Sequence, residues 1–192
     1  MKRCWMFAVV LAIPSVCSAV DAAAVIEKAD ESEEKRLQAV GERSYLGEQL
    51  ALIAGPLDVA DPSSLVARIF NHPVPAEDDP LRPDYDAALF AILDALSLRD
   101  EGQLNRKTGS EYLDSAPAGT DDCVKLQVKG DTEFGNGNNV LAFAYYFQAG
   151  VEADRATTFF VAAQQNASEA QTAITTADQA FESLLSGGEG GY

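Results

Sequence analysis

Residues 140–185 read VLAFAYYFQAGVEADRATTFFVAAQQNASEAQTAITTADQAFESLL, and their reading decides the fold. Apolar residues recur at alternating steps of four and three. The series runs Ala142, Tyr146, Ala149, Ala153, Ala156, Phe160, Ala163, Ala167, Ala170, Ile174, Ala177, Phe181 and Leu184. A seam of that period is the signature of helices packed side by side. Alanine fills most of it, so the partners can approach closely while each residue buries little area. Phe143, Phe147, Phe159 and Val161 lie off the seam and widen the apolar surface of its first half, which is expected to pack in the core. After Gln164 the flanks turn to Gln, Thr, Ser and Asp. Two readings follow. One is a coiled coil, in which the large seam residues Phe160, Ile174, Phe181 and Leu184 are the candidate interaction residues for self-association. The other is one long core helix, or a helix pair kinked near Gly150; alanine is common enough here to make chance matches to a heptad easy.

Immediately upstream stands KGDTEFGNGNN, residues 129–139. A calcium loop of the EF-hand type needs oxygen ligands at its first, third and fifth positions, Gly at the sixth and Glu at the twelfth. Counted from Asp131, the fifth position is Gly135, the sixth Asn136 and the twelfth Ala142, so the pattern fails at three places. A membrane span is excluded by length, since the apolar run is soon followed by Glu152, Asp154 and Arg155. The remaining reading is turn and cap chemistry. Asn138 or Asn139 caps a helix beginning at Val140.

Working further back, Cys123–Val128 reads C-V-K-L-Q-V. Val124, Leu126 and Val128 alternate with Cys123, Lys125 and Gln127, which predicts a strand. Gly130-Asp131 then makes a turn, and Thr132–Phe134 a short return strand, giving one small β-hairpin over 123–134. Everything earlier reads as helix or connector. Residues 22–54 are rich in Ala, Glu, Leu and Lys, with Ile26, Ala29, Leu37, Val40, Leu50 and Ile53 at roughly helical spacing. Gly41 is a possible break, and Gly55-Pro56 a stop. A short helix is expected over 62–70, capped by Asp61 with Pro62 in its first turn. Residues 71–83, rich in proline and acid, read as an irregular connector. A third helix is expected from Pro83-Asp84 to about Leu98, with Ala88, Leu89, Ile92, Leu93 and Leu96 as its stripe. The fold class is therefore mostly α and bundle-like, with one hairpin and a long Ala-rich C-terminal helix.

The N-terminus shows the three parts of an export signal: Met1-Lys2-Arg3, an apolar run from Cys4, and small residues up to Ala19. Cleavage is expected after Ala19 or Ala22, which leaves residues 20–186 as one helical domain and 187–192 as a Gly-rich tail. An uncleaved anchor is the alternative. Loss of residues 1–19 leaves Cys123 as the sole cysteine, so no intramolecular disulfide can form in that chain. That fits a secreted or periplasmic protein of bacterial type better than a disulfide-stapled one.

The whole chain carries 14 Lys and Arg against 30 Asp and Glu, a net charge of −16. Such a charge repels nucleic acid and anionic lipid. Chemistry is sparse. His72 is the only histidine, so a nucleophile–histidine pair would have to use it, with Cys123 as partner and Asp121 or Asp122 to orient the ring. Glu77, Asp78, Asp79, Glu111 and Asp114 could supply the paired carboxylates of a hydrolase, but nothing local singles them out from solvated charge. Asn166-Ala167-Ser168 matches a glycosylation acceptor, inside a predicted helix. No phosphate-binding glycine loop is present in the sequence. No cofactor or metal is expected. The leading expectation is an exported acidic helical protein that works by protein–protein interaction or self-association. The rivals are a small hydrolase using acidic residues and a cation-binding envelope protein.

Overall fold

The computed structural model describes residues 20–188. The expected signal, residues 1–19, and the tail beyond Gly188 lie outside them. The described chain is helical. Helix α1 spans Ala22–Ala54, α2 Leu65–Asn71, α3 Arg82–Ser110, α4 Cys123–Gly135 and α5 Asn139–Gly188. A π turn, Glu111–Ser115, extends α3.

Helix α5 is the spine. Its 50 residues reach about 75 Å at 1.5 Å per residue. It runs through Gly150 as helix, so the long-helix reading holds. Along one side α1 runs parallel to it. Asn139 Nδ2 donates to the Val20 carbonyl at 3.0 Å, Ser32 lies beside Gly150, and Gln164 donates to Glu42. Beyond α1, helix α2 takes over, with Arg68 reaching Asp178 and Glu182 at 3.1 and 2.7 Å. Along the other side α4 folds back over the start of α5, placing Gly130 against the Tyr146 ring. Helix α3 then covers the rest in antiparallel sense, from Gly109 beside Ala156 and Phe160 to Leu81 beside Gly187. Each level of the spine thus has a helix on two sides.

The alanine seam faces these neighbours. Every seam residue from Ala142 to Leu184 is buried. Phe160 is 0 % exposed, Ile174 6 %, Phe181 5 % and Leu184 1 %. These four candidate interaction residues fill the chain's own core. The period was right because α1, α3 and α4 are the partners the seam requires.

Three other expectations change. Residues 123–134 form helix α4, not a hairpin. Asp122 caps it, its carboxylate accepting from the Lys125 N–H at 2.8 Å. Cys123, Leu126 and Gly130 are buried at steps of three and four, whereas Val128 is 58 % exposed. Burial follows the helical period. Helix α2 starts at Leu65 with Ser64 as its cap, because Asp61 instead closes the preceding turn by accepting from the Ser63 N–H at 2.9 Å. Helix α3 continues well past Leu98.

The buried face of α1 also differs from expectation. Ile26 and Leu37 are half exposed. The residues that enter the core are Val25, Ser32, Ala39, Leu46 and Ile53, each seven apart, with Leu50. Two of these are small because α1 meets the alanine face of α5, where a larger residue would hold the helices apart.

Candidate functional site

The residues with chemical potential are distributed along the spine rather than gathered. His72 ends α2, its backbone N–H donating to the Ile69 carbonyl at 3.2 Å. Its ring stands edge-on to Phe181, with 5.9 Å between centroids, and Nδ1 lies 2.8 Å from the Pro73 carbonyl. Cys123 sits at the opposite end, fully buried. Burial pushes its thiol up to about 12; nearby Arg36 opposes this, while Glu33, Asp122 and Glu152 add to it. A thiol held there forms no thiolate near neutral pH and is no nucleophile. Glu152, near Cys123, and Phe181, against His72, are about 40 Å apart along α5. The Cys-His pair is thereby excluded.

The carboxylates are similarly committed or scattered. Asp114 accepts from Arg43 at 2.8 Å, and Asp121 from Lys129 at 2.8 Å. Asp122 caps α4 and accepts from the Ala116 N–H at 3.2 Å. Asp79 holds a turn through the Leu81 N–H at 2.8 Å. Glu77 and Asp78 are exposed in the connector before α3. Asp114 lies at the far end of the α3 rod from that connector. Among the described residues no His, Cys, Asp and Glu cluster could hold a metal ion. Asn166 is half-buried and accepts from Asn105 at 3.1 Å across the α3–α5 contact.

One polar junction is partly buried, where α1, α4 and α5 meet. The Ser32 hydroxyl donates to the Ala29 carbonyl at 2.8 Å. The Gln127 amide donates to Ser32 at 3.3 Å and to Glu33 at 3.1 Å. Arg36 forks onto Glu33 at 2.7 and 2.6 Å, and this pairing holds the Glu33 carboxyl below its ordinary range. Glu152 takes Arg155 at 2.9 Å, and the Arg155 guanidinium lies 5.9 Å from the Tyr112 ring centroid. Among the described residues no buried side-chain nitrogen or oxygen lacks a partner. This junction satisfies itself and aims nothing at a ligand.

Among the described residues, hollows open to solvent in at least two places. One, about 410 Å³, lies between α3 and α5 beside Asp94, Leu98, Glu169 and Thr176. The other, about 470 Å³, lies at the end of α1 beside Gly55, Asp58, Val59 and Arg99.

Large apolar residues are exposed on several elements, Leu52, Val59, Phe70, Val74, Phe90 and Leu104 by 59–73 %, and a group of them lies on the outside of α5. Past Val161, the exposed positions of this helix are Gln, Ser, Glu, Thr and Asp until Leu185. Over its first three turns the same helix exposes Gln148 but otherwise carries apolar residues on its outer face as well as its inner one. Ala142, Tyr146 and Ala149 are buried inward, while Val140, Leu141 and Phe147 are 49 %, 50 % and 57 % exposed. Val140, Ala144, Phe147 and Val151 follow one another at steps of four, three and four, so they form one outward stripe with Leu141 at its edge. Lys28 of α1 holds its amine 5.7 and 5.8 Å from the Phe143 and Phe147 ring centroids. Phe147 and Val161, expected in the core, are both more than half exposed. The signal that could have found the stripe is the number of apolar residues off the seam, which gives this part of the helix more apolar surface than one face can bury.

No protein-family model, curated protein or solved structure matches the chain. No helix among the described residues is long and apolar enough to cross a membrane.

Proposed function

We propose that the chain is an exported binding protein, and that the outward stripe at the start of α5 is its contact surface for another protein. One observation carries this reading: a single helix obeys the polar-outside rule over its second half and breaks it over its first three turns. Exposed apolar side chains grouped on one face are typical of interaction sites. The partner's chemistry follows from the surroundings. Asp21, Glu27, Asp30 and Asp131 are exposed on the helices at this end, in a chain of net charge −16. The complementary surface is an apolar patch flanked by basic residues. Export is supported by the basic start, short apolar run and small residues of positions 1–19.

The test uses the tagged chain, crosslinked in the compartment where it accumulates. The wild type is expected to recover one foreign protein that Leu141→Glu/Phe147→Glu does not, while both chains keep the same helical circular dichroism. Equal recovery by both removes the stripe from the reading. The N-terminal residue of the recovered chain checks export: Val20 or Ala23 agrees with cleavage, and Met1 counts against it.

A further inference from the structure

We infer that the processed chain begins at Val20, so that the cut falls before this residue and not after Ala22. This start rests on the export reading and adds to it which residues export leaves in place. The sequence admits both cuts; the fold separates them. An export peptidase meets an unfolded chain, so the fold does not steer it. The fold shows which residues the finished protein uses, and a residue that leaves with the leader contributes nothing to that protein. Val20 contributes twice. Its carbonyl accepts from Asn139 Nδ2 at 3.0 Å, which ties the start of α1 to the first residue of α5. Its side chain packs with Ala29, Phe134 and Phe143 around the small core of Val25, Ala142 and Tyr146.

Asp21 is the cap of α1. Its backbone is extended, with φ −74° and ψ 162°. Its carboxylate accepts from the Ala24 N–H at 2.8 Å, and its carbonyl accepts from the Val25 N–H at 3.3 Å. Nothing downstream can replace it, because residues 22–26 read AAAVI and carry no capping side chain. Charge separates the two cuts further. Hydrolysis adds water across the peptide bond before the new first residue. The leader leaves with the carboxylate, and the chain keeps an amine that is protonated at neutral pH. At Val20 that ammonium precedes the first turn of α1 and adjoins the Asp21 carboxylate in sequence. At Ala23 it would stand inside the first turn, among unpaired N–H groups at the positive end of the helix dipole, with the Asp21 carboxylate gone. The N–H of Val25, whose side chain is fully buried, would lose its acceptor there.

The test has two parts. The full chain is expressed with its own N-terminus, recovered from the compartment where it accumulates, and its first residue read by mass spectrometry of the N-terminal peptide. Val20 is the expected start. Ala23, or any other start beyond Met1, overturns this inference and leaves the export reading standing. Met1 overturns the export reading and this inference with it. The physical ground is tested on two leaderless chains, released from an N-terminal fusion so that one starts at Val20 and the other at Ala23. The chain starting at Ala23 is expected to melt at least about 2–4 °C lower. Asn139→Ala is expected to lower the melt of the Val20 chain more than that of the Ala23 chain, since only the longer one keeps the carbonyl that Asn139 serves. Equal melts of the two chains, or an equal effect of Asn139→Ala in both, overturn the inference.

Discussion

At Gly109 a Cβ would lie 2.6 Å from the Phe160 ring and 3.0 Å from the Ala156 carbonyl oxygen. At Gly41 it would meet nothing within 4 Å. The two glycines sit in helices of similar length, so their substitution by alanine separates propensity from packing. Gly41→Ala is expected to stabilise the fold by up to about 1 kcal/mol. Gly109→Ala is expected to cost about 1–3 kcal/mol, because Phe160 and the α5 backbone have nowhere to go. Urea denaturation of the two variants checks both signs. Two further residues make the fold sensitive to alkali. Burial raises the Cys123 thiol to about 12 from an ordinary 9.0. Burial, and a 2.6 Å hydrogen bond donated to Asp131, raise the Tyr146 phenol above its ordinary 10.0. A raised value means that folding favours the protonated group. The stabilisation is complete below the ordinary values and is lost as pH climbs above them towards the folded ones. Melting temperature is therefore expected to fall above pH 9, and Tyr146→Phe to lessen the fall above pH 10.

Helix α4 shows how far an element can be read locally. Val124, Leu126 and Val128 fit a strand by alternation, whereas Cys123, Leu126 and Gly130 fit a helix by spacing. Local pattern alone does not choose between them. Two things outside the pattern do. Asp122, 1 % exposed, commits its carboxylate to the Lys125 and Ala116 N–H groups, and Gly130 must be side-chain-free to admit the Tyr146 ring. A strand would bury Val128 as deeply as Leu126. The helix predicts unequal effects: Leu126→Ala costs about 2–5 kcal/mol, whereas Val128→Thr stays within about 0.5 kcal/mol. Asp122→Ala is expected to cost about 1–2 kcal/mol through the lost cap. Thermal melts of the three variants distinguish the elements. Helix α1 shows the converse difficulty. Its buried series includes Ser32 and Ala39, and small residues add almost nothing to a hydrophobic stripe, so the eye moves to the larger but exposed Ile26 and Leu37.

Across the whole molecule, stability converges on α5, which α1, α2, α3 and α4 all touch. A break in the spine therefore affects every contact. A Cβ at Gly150 would rest 3.5 Å from Lys35 and 4.0 Å from Ser32, an ordinary contact. Gly150→Ala is expected to be neutral or mildly stabilising. Gly150→Pro is expected to cost about 3 kcal/mol or more by removing an intrahelical bond and kinking the rod. Its melt should remain a single transition at lower temperature, because neither half of α5 keeps its neighbours in register without the other. Two separate transitions would show that the two halves of the bundle fold independently.

Residues alone determined the helical class, α1 over residues 22–54 with its stop at Gly55-Pro56, and the 142–184 seam. These follow from periodicity and caps, which act over a few turns and need no distant partner. Which apolar residues are covered was decided by tertiary structure. The seam became core because α1, α3 and α4 fold back onto it, so Phe160, Ile174, Phe181 and Leu184 went inward. The stripe of Val140, Leu141 and Phe147 stayed outside because α1 and α4 cover only the inward sides of those turns. Coverage depends on which helices lie alongside and where each one stops, and no window of sequence contains that information.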